Sequence, residues 1–443
     1  MKGMPVRQVA QALSLTTEST NFVSGYEVDS RRIGLNDLFF ALPGEKTDGH
    51  DYLAQVKAQG GLGAVVSKSY SGPDFGLELF RVDNVLSALH ELARLAASET
   101  KAKIVGITGS VGKTTTKEFI STLLEGKFRV GKNPASFNTK LTLPTTVLNM
   151  QGDEEVWVLE MGMSEPSDLT TLVNIAPPDI AVLTKIALAH AAYFPGGLAD
   201  IASGKAEIFT HEKTKTAIFD FGFLQYEQAV AKIHGQKTSF SLTERSADYF
   251  FADDVLDERG VRAPRLDIPF PQPHIRHNLL AAIAVARTLK LEWEEIERRL
   301  PLLQLPKMRF EQFEREGICF INDAYNANPE SMRAALSSIP EPKPGGKRIA
   351  VLGTMFPLGT FSQQAHEEIG RFAQGRIDHL LVLGDEARPL CDAFGEVKKP
   401  AEHFGDDKRA LAYRLKELMH PGDVVLIKAS RIMQLEQILP WLE

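Results

Sequence analysis

The chain has 443 residues and a formal charge of −7, from 50 Lys and Arg against 57 Asp and Glu, with 43% apolar and 24% charged side chains. This is globular rather than disordered composition, and at roughly 150 residues per domain the length predicts three domains. The mild acidity argues against broad electrostatic capture of nucleic acid or an anionic membrane, and two cysteines, Cys319 and Cys391, cannot build a disulfide framework.

The opening segment, MKGMPVRQVAQALSLTTEST, lacks the apolar core of a signal peptide. The best uncharged apolar run, LLAAIAVA at 279–286, is too short to cross a bilayer. A cytoplasmic protein with no membrane insertion and no nucleic-acid partner is expected. LFFAL (38–42) and GAVVS (63–67) read as strands, and 84–97 as an apolar-periodic helix. A linker at 98–103 leads to the strand IVGIT (104–108), a Gly-rich turn and a helix from about Thr114. VWVLE (156–160), IAVLT (180–184) and TAIF (216–219) are continuous apolar runs, which suit a parallel sheet buried on both faces. Helices are predicted over 276–289 and 291–300. A third unit starts near Met308, with strands at 318–323, 348–353, 379–384 and 424–429 and a helix after Asn328. The recurring strand–loop–helix order predicts a second open α/β sheet.

The strongest local signal is Thr108-Gly109-Ser110-Val111-Gly112-Lys113-Thr114-Thr115. A buried strand enters a loop whose glycines let backbone N–H groups approach an anion, and the next helix adds its positive N-terminus. Lys113 would reach the β- and γ-phosphates and Thr114 would offer its hydroxyl to Mg²⁺. The strict G-x4-GK[ST] spacing fails, because Ile107 occupies the first glycine position. The alternative is a generic strand-to-helix turn with a surface lysine. No guanine-selecting NKxD is present.

Glu160 ends its strand where α/β proteins bind ligands, so it either holds Mg²⁺ beside Thr114 or is a surface glutamate. His190 follows another strand and is either a cation ligand or a structural histidine. Lys205, read alone, is a solvent-facing lysine, and Asp179 flanks its strand. Arg309, Asp323, Tyr325, Asn326 and Asn328 form a polar cluster at a strand exit. Asn328 either recognises adenine or caps the helix before Pro329, and His277-Asn278 carries the same two readings.

Together these segments resemble the ATP-dependent Mur ligase family over nearly the whole chain. The likeness is strongest to the members that add D-alanyl-D-alanine to the UDP-muramoyl-tripeptide. TGSVGKTTTKEF, LEMG (159–162), AH (189–190), GKAEIF (204–209), HN (277–278) and DAYNANPESM (323–332) follow in the family's order. DSRRI (29–33), LFFALPGEKTDGHD (38–51) and VVLIKASR (424–431) extend the match to both ends.

The resemblance implies an α/β, three-domain Mur ligase architecture. Residues 1–100 would bind the UDP substrate, 101–307 would form a P-loop parallel-sheet domain for ATP, and 308–443 a Rossmann-like domain. It implies an ATP-dependent ligase that phosphorylates the tripeptide carboxylate, then lets D-alanyl-D-alanine attack the acyl phosphate through a tetrahedral intermediate. The products would be UDP-muramoyl-pentapeptide, ADP and phosphate, in peptidoglycan synthesis. Carried over by residue, Lys113, Glu160, His190 and Lys205 would be catalytic, and Thr114, Glu160, His190 and Lys205 would serve Mg²⁺. Lys205 matches the family lysine that becomes carbamylated. Gly109, Ser110, Gly112, Thr115, Asn278, Arg309, Asp323, Asn326 and Asn328 would sit on the nucleotide side. Ser30, Arg31, Asp48, Gly49, His50, Lys428, Ser430 and Arg431 would bind the UDP precursor or border the closing cleft. A monomer is expected.

Departures from the family pattern fall at Lys185, Ala187, Ala192 and Thr354, and in Asn138-Thr139-Lys140-Leu141-Thr142. They bear on groups around the catalytic residues and on dipeptide recognition. The competing readings are a ligase of the same architecture for another amino acid, including a folylpolyglutamate type, and a noncatalytic nucleotide-regulated binding protein. DAYNANP, DSR and TDGHD argue against the first, and the retained phosphate loop against the second.

Overall fold

A computed structural model describes residues 3–44 and 47–442. The first sheet has four parallel strands, in spatial order Gly25–Glu27, Asp37–Phe40, Gly63–Ser67 and Glu78–Val82. Its two outer members are too short or too polar to stand out by apolar pattern. The helix Val85–Glu99 follows, capped by Asn84, whose side chain accepts from the Ser87 N–H.

The central sheet has nine strands. Lys103–Thr108 lies between Val156–Glu160 and Ile180–Leu183, and Val130–Lys132 forms one edge beyond Val156–Glu160. Thr216–Asp220, Gln236–Ser241 and Tyr249–Ala252 extend the parallel array on the other side, and the hairpin strands Val255–Glu258 and Val261–Arg262 close it antiparallel. The sequence pattern missed the strands from 236 onward because polar residues such as Gln236, Lys237, Asp257 and Glu258 break the apolar runs.

The third sheet runs Glu311–Arg315, Ile318–Asn322, Val424–Lys428, Arg348–Gly353, His379–Leu383 and Ala401–His403. Only its first pair is antiparallel. Among the described residues no helix is long and apolar enough to cross a membrane.

The continuous apolar strands serve two cores at once, because successive strand side chains point to opposite faces. Val105, Ile107, Val156, Val158 and Val182 pack with Phe119, Leu279, Phe310 and Leu352, so this core runs on into the third sheet. Ile104, Trp157, Leu159, Ala181 and Leu183 pack with Leu38, Leu89, Leu92 and Val147, so the other core runs into the first. Asn149 reinforces that second junction. Its amide accepts from the Tyr26 N–H (3.1 Å) and donates to the Tyr26 carbonyl (2.7 Å).

In the third unit, buried His366 holds the loop after Arg348–Gly353. Its Nδ1–H donates to the Ser362 carbonyl (2.7 Å) and its Nε2 accepts from the Met355 N–H (3.0 Å). Burial lowers its pKa, against the opposing pull of the Ser362 carbonyl and Glu386. The unfolded chain therefore takes up this proton first, so the stabilisation is complete above an ordinary histidine pKa of about 6.5 and is lost as pH falls below it. Urea midpoints of the wild type should drop between about pH 7.5 and 5.5, and those of His366→Gln should drop less. An equal drop in both would remove His366 from the pH dependence.

Candidate active site

The central sheet changes winding direction at Lys103–Thr108, since the chain crosses from this strand first to one side and later to the other. Crevices at such points lie beyond the carboxyl ends of the strands. There the loop 109–112 turns into the helix Lys113–Leu124. Gly109 (φ +147°) faces Thr184 so closely that a Cβ would lie 2.0 Å from its Oγ1. Gly112 (φ +85°) would bring a Cβ to 2.2 Å from Asn278 Oδ1. Both positions therefore require glycine. Ser110 is tied to the neighbouring strand exit, its N–H donating to the Lys185 carbonyl (2.7 Å) and its hydroxyl to the Ala187 carbonyl (2.7 Å). The unusual side chains at 185 and 187 thus leave the loop's anchorage intact, because backbone carbonyls supply it.

A cavity of about 810 Å³ opens at this point, bounded by the central and third units. Ser110, Gly112, Lys113, Thr114, Thr115, Glu160, His190, Asn278, Arg309, Asp323, Asn326, Asn328 and Lys428 all line it. Lys113 Nζ donates back to the Gly109 carbonyl (2.8 Å). Desolvation lowers its pKa, partly offset by Glu160. Thr114 Oγ1 donates to Glu160 Oε2 (2.9 Å) and accepts from Arg309 Nη2 (3.1 Å). Glu160 is 1% exposed, so it is a buried group at the strand end.

Sequence reasoning missed the groups that hold Glu160. Asn133 pairs with both backbone groups of Glu160, and Asn138 Nδ2 donates to its Oε1 (2.6 Å). No spacing announces Asn133, because it lies 27 residues away and meets Glu160 only through the pairing of Val130–Lys132 with Val156–Glu160.

Lys205 corrects the solvent-facing reading made for it in isolation. It ends the helix Leu198–Lys205 at 2% exposure, and burial together with Lys113 pushes its pKa well below the usual lysine value. Among the described residues no carboxylate pairs with it. His190 sits at φ +55°, and burial, Lys113 and Lys205 push its pKa down to about 4, so its imidazole is neutral at pH 7.

At the third-sheet side, Asp323 accepts from the Phe310 N–H (3.0 Å) and from Lys428 Nζ (2.6 Å). Lys428 also donates to the Asn326 carbonyl (3.0 Å). Asn328 is the N-cap of the helix Pro329–Ser337, accepting from the Ser331 N–H (2.8 Å), and Asn326 Oδ1 accepts from the Ala327 N–H (2.9 Å). Lys428→Met would leave Asp323 unpaired in a largely buried position and should cost about 3 kcal/mol or more of unfolding free energy. Denaturant unfolding checks this, and Asp323→Asn in the same background should recover part of the loss.

The other expected site residues lie apart from the cavity lining. Ser430 is buried, accepting from the Phe356 N–H (2.7 Å), and Arg431 pairs with Glu436 (2.6 Å). In the first unit, Ser30 contacts Gln55 (3.3 Å) and Arg31 pairs with Asp29. His50 has both ring nitrogens engaged, by Asp48 (2.6 Å) and the Ser67 N–H (3.0 Å). Gly49 is required there because a Cβ would meet the Leu42 backbone at 2.7 Å. Asp179 flanks its strand, accepting from the Ile104 N–H (2.9 Å).

The Mur ligase middle domain matches residues 107–286, and the Mur ligase glutamate ligase domain matches residues 308–431. The UDP-N-acetylmuramoyl-tripeptide--D-alanyl-D-alanine ligase of Bacillus subtilis (strain 168) is 31% identical, covering 98% of this chain and 97% of its own. The chain belongs to the Mur ligase family. MurF from Acinetobacter baumannii superposes with a TM-score of 0.87 at 25% identity, over 100% of this chain and 99% of that one. MurF from Thermotoga maritima, solved in complex with ADP, gives 0.80 at 29% identity, over 94% and 96%.

ATP and Mg²⁺ suit the residues of this Mur ligase. Among the described residues the buried Arg309 Nε has no hydrogen-bond partner, as expected of a group that an anion would complete. Among the described residues no group of three or more His, Cys, Asp or Glu could hold a metal. The hard oxygens of Thr114 and Glu160 match the habit of Mg²⁺, which takes one or two carboxylates and completes its shell with phosphate oxygens and water.

Proposed function

We propose that this chain ligates D-alanyl-D-alanine to UDP-N-acetylmuramoyl-tripeptide, consuming ATP and Mg²⁺. The observation that carries the reading is the meeting of Lys113, Thr114 and Glu160 at one strand-end crevice, in a chain that matches such ligases along its length. A carboxylate is a poor electrophile, so the tripeptide carboxylate attacks the γ-phosphorus and ADP leaves. The dipeptide amine then adds to the acyl carbonyl, and the tetrahedral adduct expels phosphate and releases the amine proton.

Lys113 lies where it can follow negative charge onto the transferring phosphoryl group, and Arg309 adds a second fixed cation. Thr114 and Glu160 would hold Mg²⁺, which would supply positive charge against the phosphates. Gly109, Ser110, Gly112 and Thr115 wrap the phosphates, while Asn278, Asp323, Asn326 and Asn328 shape the nucleoside side.

Lys205 is the residue for a carbamate. Adding CO₂ to a neutral amine yields an N-carboxylate and a proton, and burial beside Lys113 lowers this amine's pKa, which favours its neutral form. An uncharged Lys205 amine beside the Lys113 cation offers no negative charge to a metal near His190. The carbamate would supply that charge and let His190 and Lys205 serve a second Mg²⁺.

Residues 1–100 hold the UDP precursor through Ser30, Arg31, Asp48, Gly49 and His50, residues 101–307 present ATP, and residues 308–443 close with Lys428, Ser430 and Arg431. The protein acts as a cytoplasmic monomer. Incubation with UDP-muramoyl-tripeptide, D-alanyl-D-alanine, ATP and Mg²⁺ should release phosphate and add the dipeptide mass. Absence of pentapeptide while all substrates bind would sink the assignment.

A further inference from the structure

Lys185 leaves the strand Ile180–Leu183 one residue after Thr184, and its carbonyl already anchors the phosphate loop through Ser110. Its side chain crosses the cavity to the third unit, where Nζ lies 2.5 Å from Glu330 Oε1. Glu330 is equally well placed. It stands in the first turn of Pro329–Ser337, behind the Asn328 capping box, on a segment that Lys428 pins at Asp323 and Asn326. The pair therefore joins two rigid supports, and both of its side chains line the cleft that the nucleotide and the acyl substrate must share.

We propose that Lys185 and Glu330 are positioning residues that form an electrostatic latch, holding the third unit closed over the phosphate loop so that Arg309 and Lys428 face the reacting groups. Both side chains are partly exposed, at 40% and 37%, so the pair is weak enough to open for substrate entry. Closure of this kind assembles a site and excludes water without either residue touching the reacting atoms. A second contact lies on the same boundary, where Gly359 (φ +55°) packs so tightly on Ala192 that a Cβ would approach its Cα to 2.9 Å.

The inference rests on the proposed ligase activity, which the wild-type product assay tests separately. Lys185→Met and Glu330→Gln should each lower kcat/KM for pentapeptide formation by about three- to five-fold at low ionic strength. The exchanged pair, Lys185→Glu with Glu330→Lys, should return to within about two-fold of wild type. Raising salt to about 0.5 M should shrink the gap between wild type and single variants. Small-angle scattering with ADP present should show a larger radius of gyration for the single variants than for wild type or the exchanged pair. That measurement needs no turnover. Single variants within about 1.5-fold of wild type, or an exchanged pair as slow as Lys185→Met, would overturn the latch. The second result would instead place the Lys185 charge on a phosphate.

Discussion

Lys205→Met should fold normally and turn over at least about 100-fold more slowly, the scale expected when a preorganised charge near the transition state is lost. Methionine is the informative replacement because it fills the buried volume that alanine would leave empty. Burial without a partner is the cause of this effect. An ammonium at 2% exposure, repelled by Lys113 and paired with no carboxylate among the described residues, is costly to keep charged. Its pKa falls, so raising pH through the lowered value frees the amine to add CO₂, and lowering pH blocks that addition.

Two measurements separate a carbamate from a structural amine. Activity should fall in CO₂-depleted buffer and return with bicarbonate, and ¹³C-bicarbonate should give a carbamate resonance in wild type but not in Lys205→Met. Near-normal turnover of the variant would remove carbamate chemistry from the mechanism.

Glu160→Gln carries the second large effect. The side chain keeps its shape, so its backbone pairing with Asn133 should persist while the negative charge is lost. Turnover should fall by about 10²-fold or more, and the Mg²⁺ concentration for half-activation should rise. ATP binding without Mg²⁺ should stay level or tighten, because a carboxylate beside the phosphates has become neutral. Calorimetric titration with and without Mg²⁺ distinguishes these outcomes. An unchanged Mg²⁺ requirement with only a two-fold slower rate would show that Glu160 does not ligate the metal.

The effects differ in kind because the supporting structure differs. Glu160 is held through Asn133 and Asn138, so charge can be removed with geometry preserved. Among the described residues Lys205 has no comparable partner, and its proposed chemistry depends on being enclosed. The Lys185–Glu330 pair lies farther out, partly hydrated, and its contribution is correspondingly small.

Much of this architecture was legible because local physics is strong at particular segments. Continuous apolar runs predicted the strands around 104–108, 156–160 and 180–184, since a two-faced sheet needs apolar residues at every position. Asn328 before Pro329 predicted a helix start, and the observed capping box has that form. The glycine turn ahead of Lys113 was recognisable despite Ile107 at the first glycine position, because its backbone needs Gly109 and Gly112 and both are present. The short or polar strands Gly25–Glu27, Ala401–His403 and Val255–Glu258 were not visible, because their pairing comes from neighbours rather than their own pattern.

The amino-acid order by itself determined the α/β class, the glycine loop ahead of Lys113, the family likeness and the identity of its charged residues. Burial and partnership were decided only by the tertiary structure. Lys205 read as an ordinary surface lysine until the packing of Leu198–Lys205 enclosed it. Glu160 stood between surface and site until Asn133 and Asn138 arrived from a distant loop. Lys185 was a departure of unknown consequence until Glu330 came to 2.5 Å from it, across 145 residues of chain. The physical reason is common to all three. A side chain carries its charge in the sequence, but the dielectric and partners around it are set by long-range packing, and these decide what the charge can do.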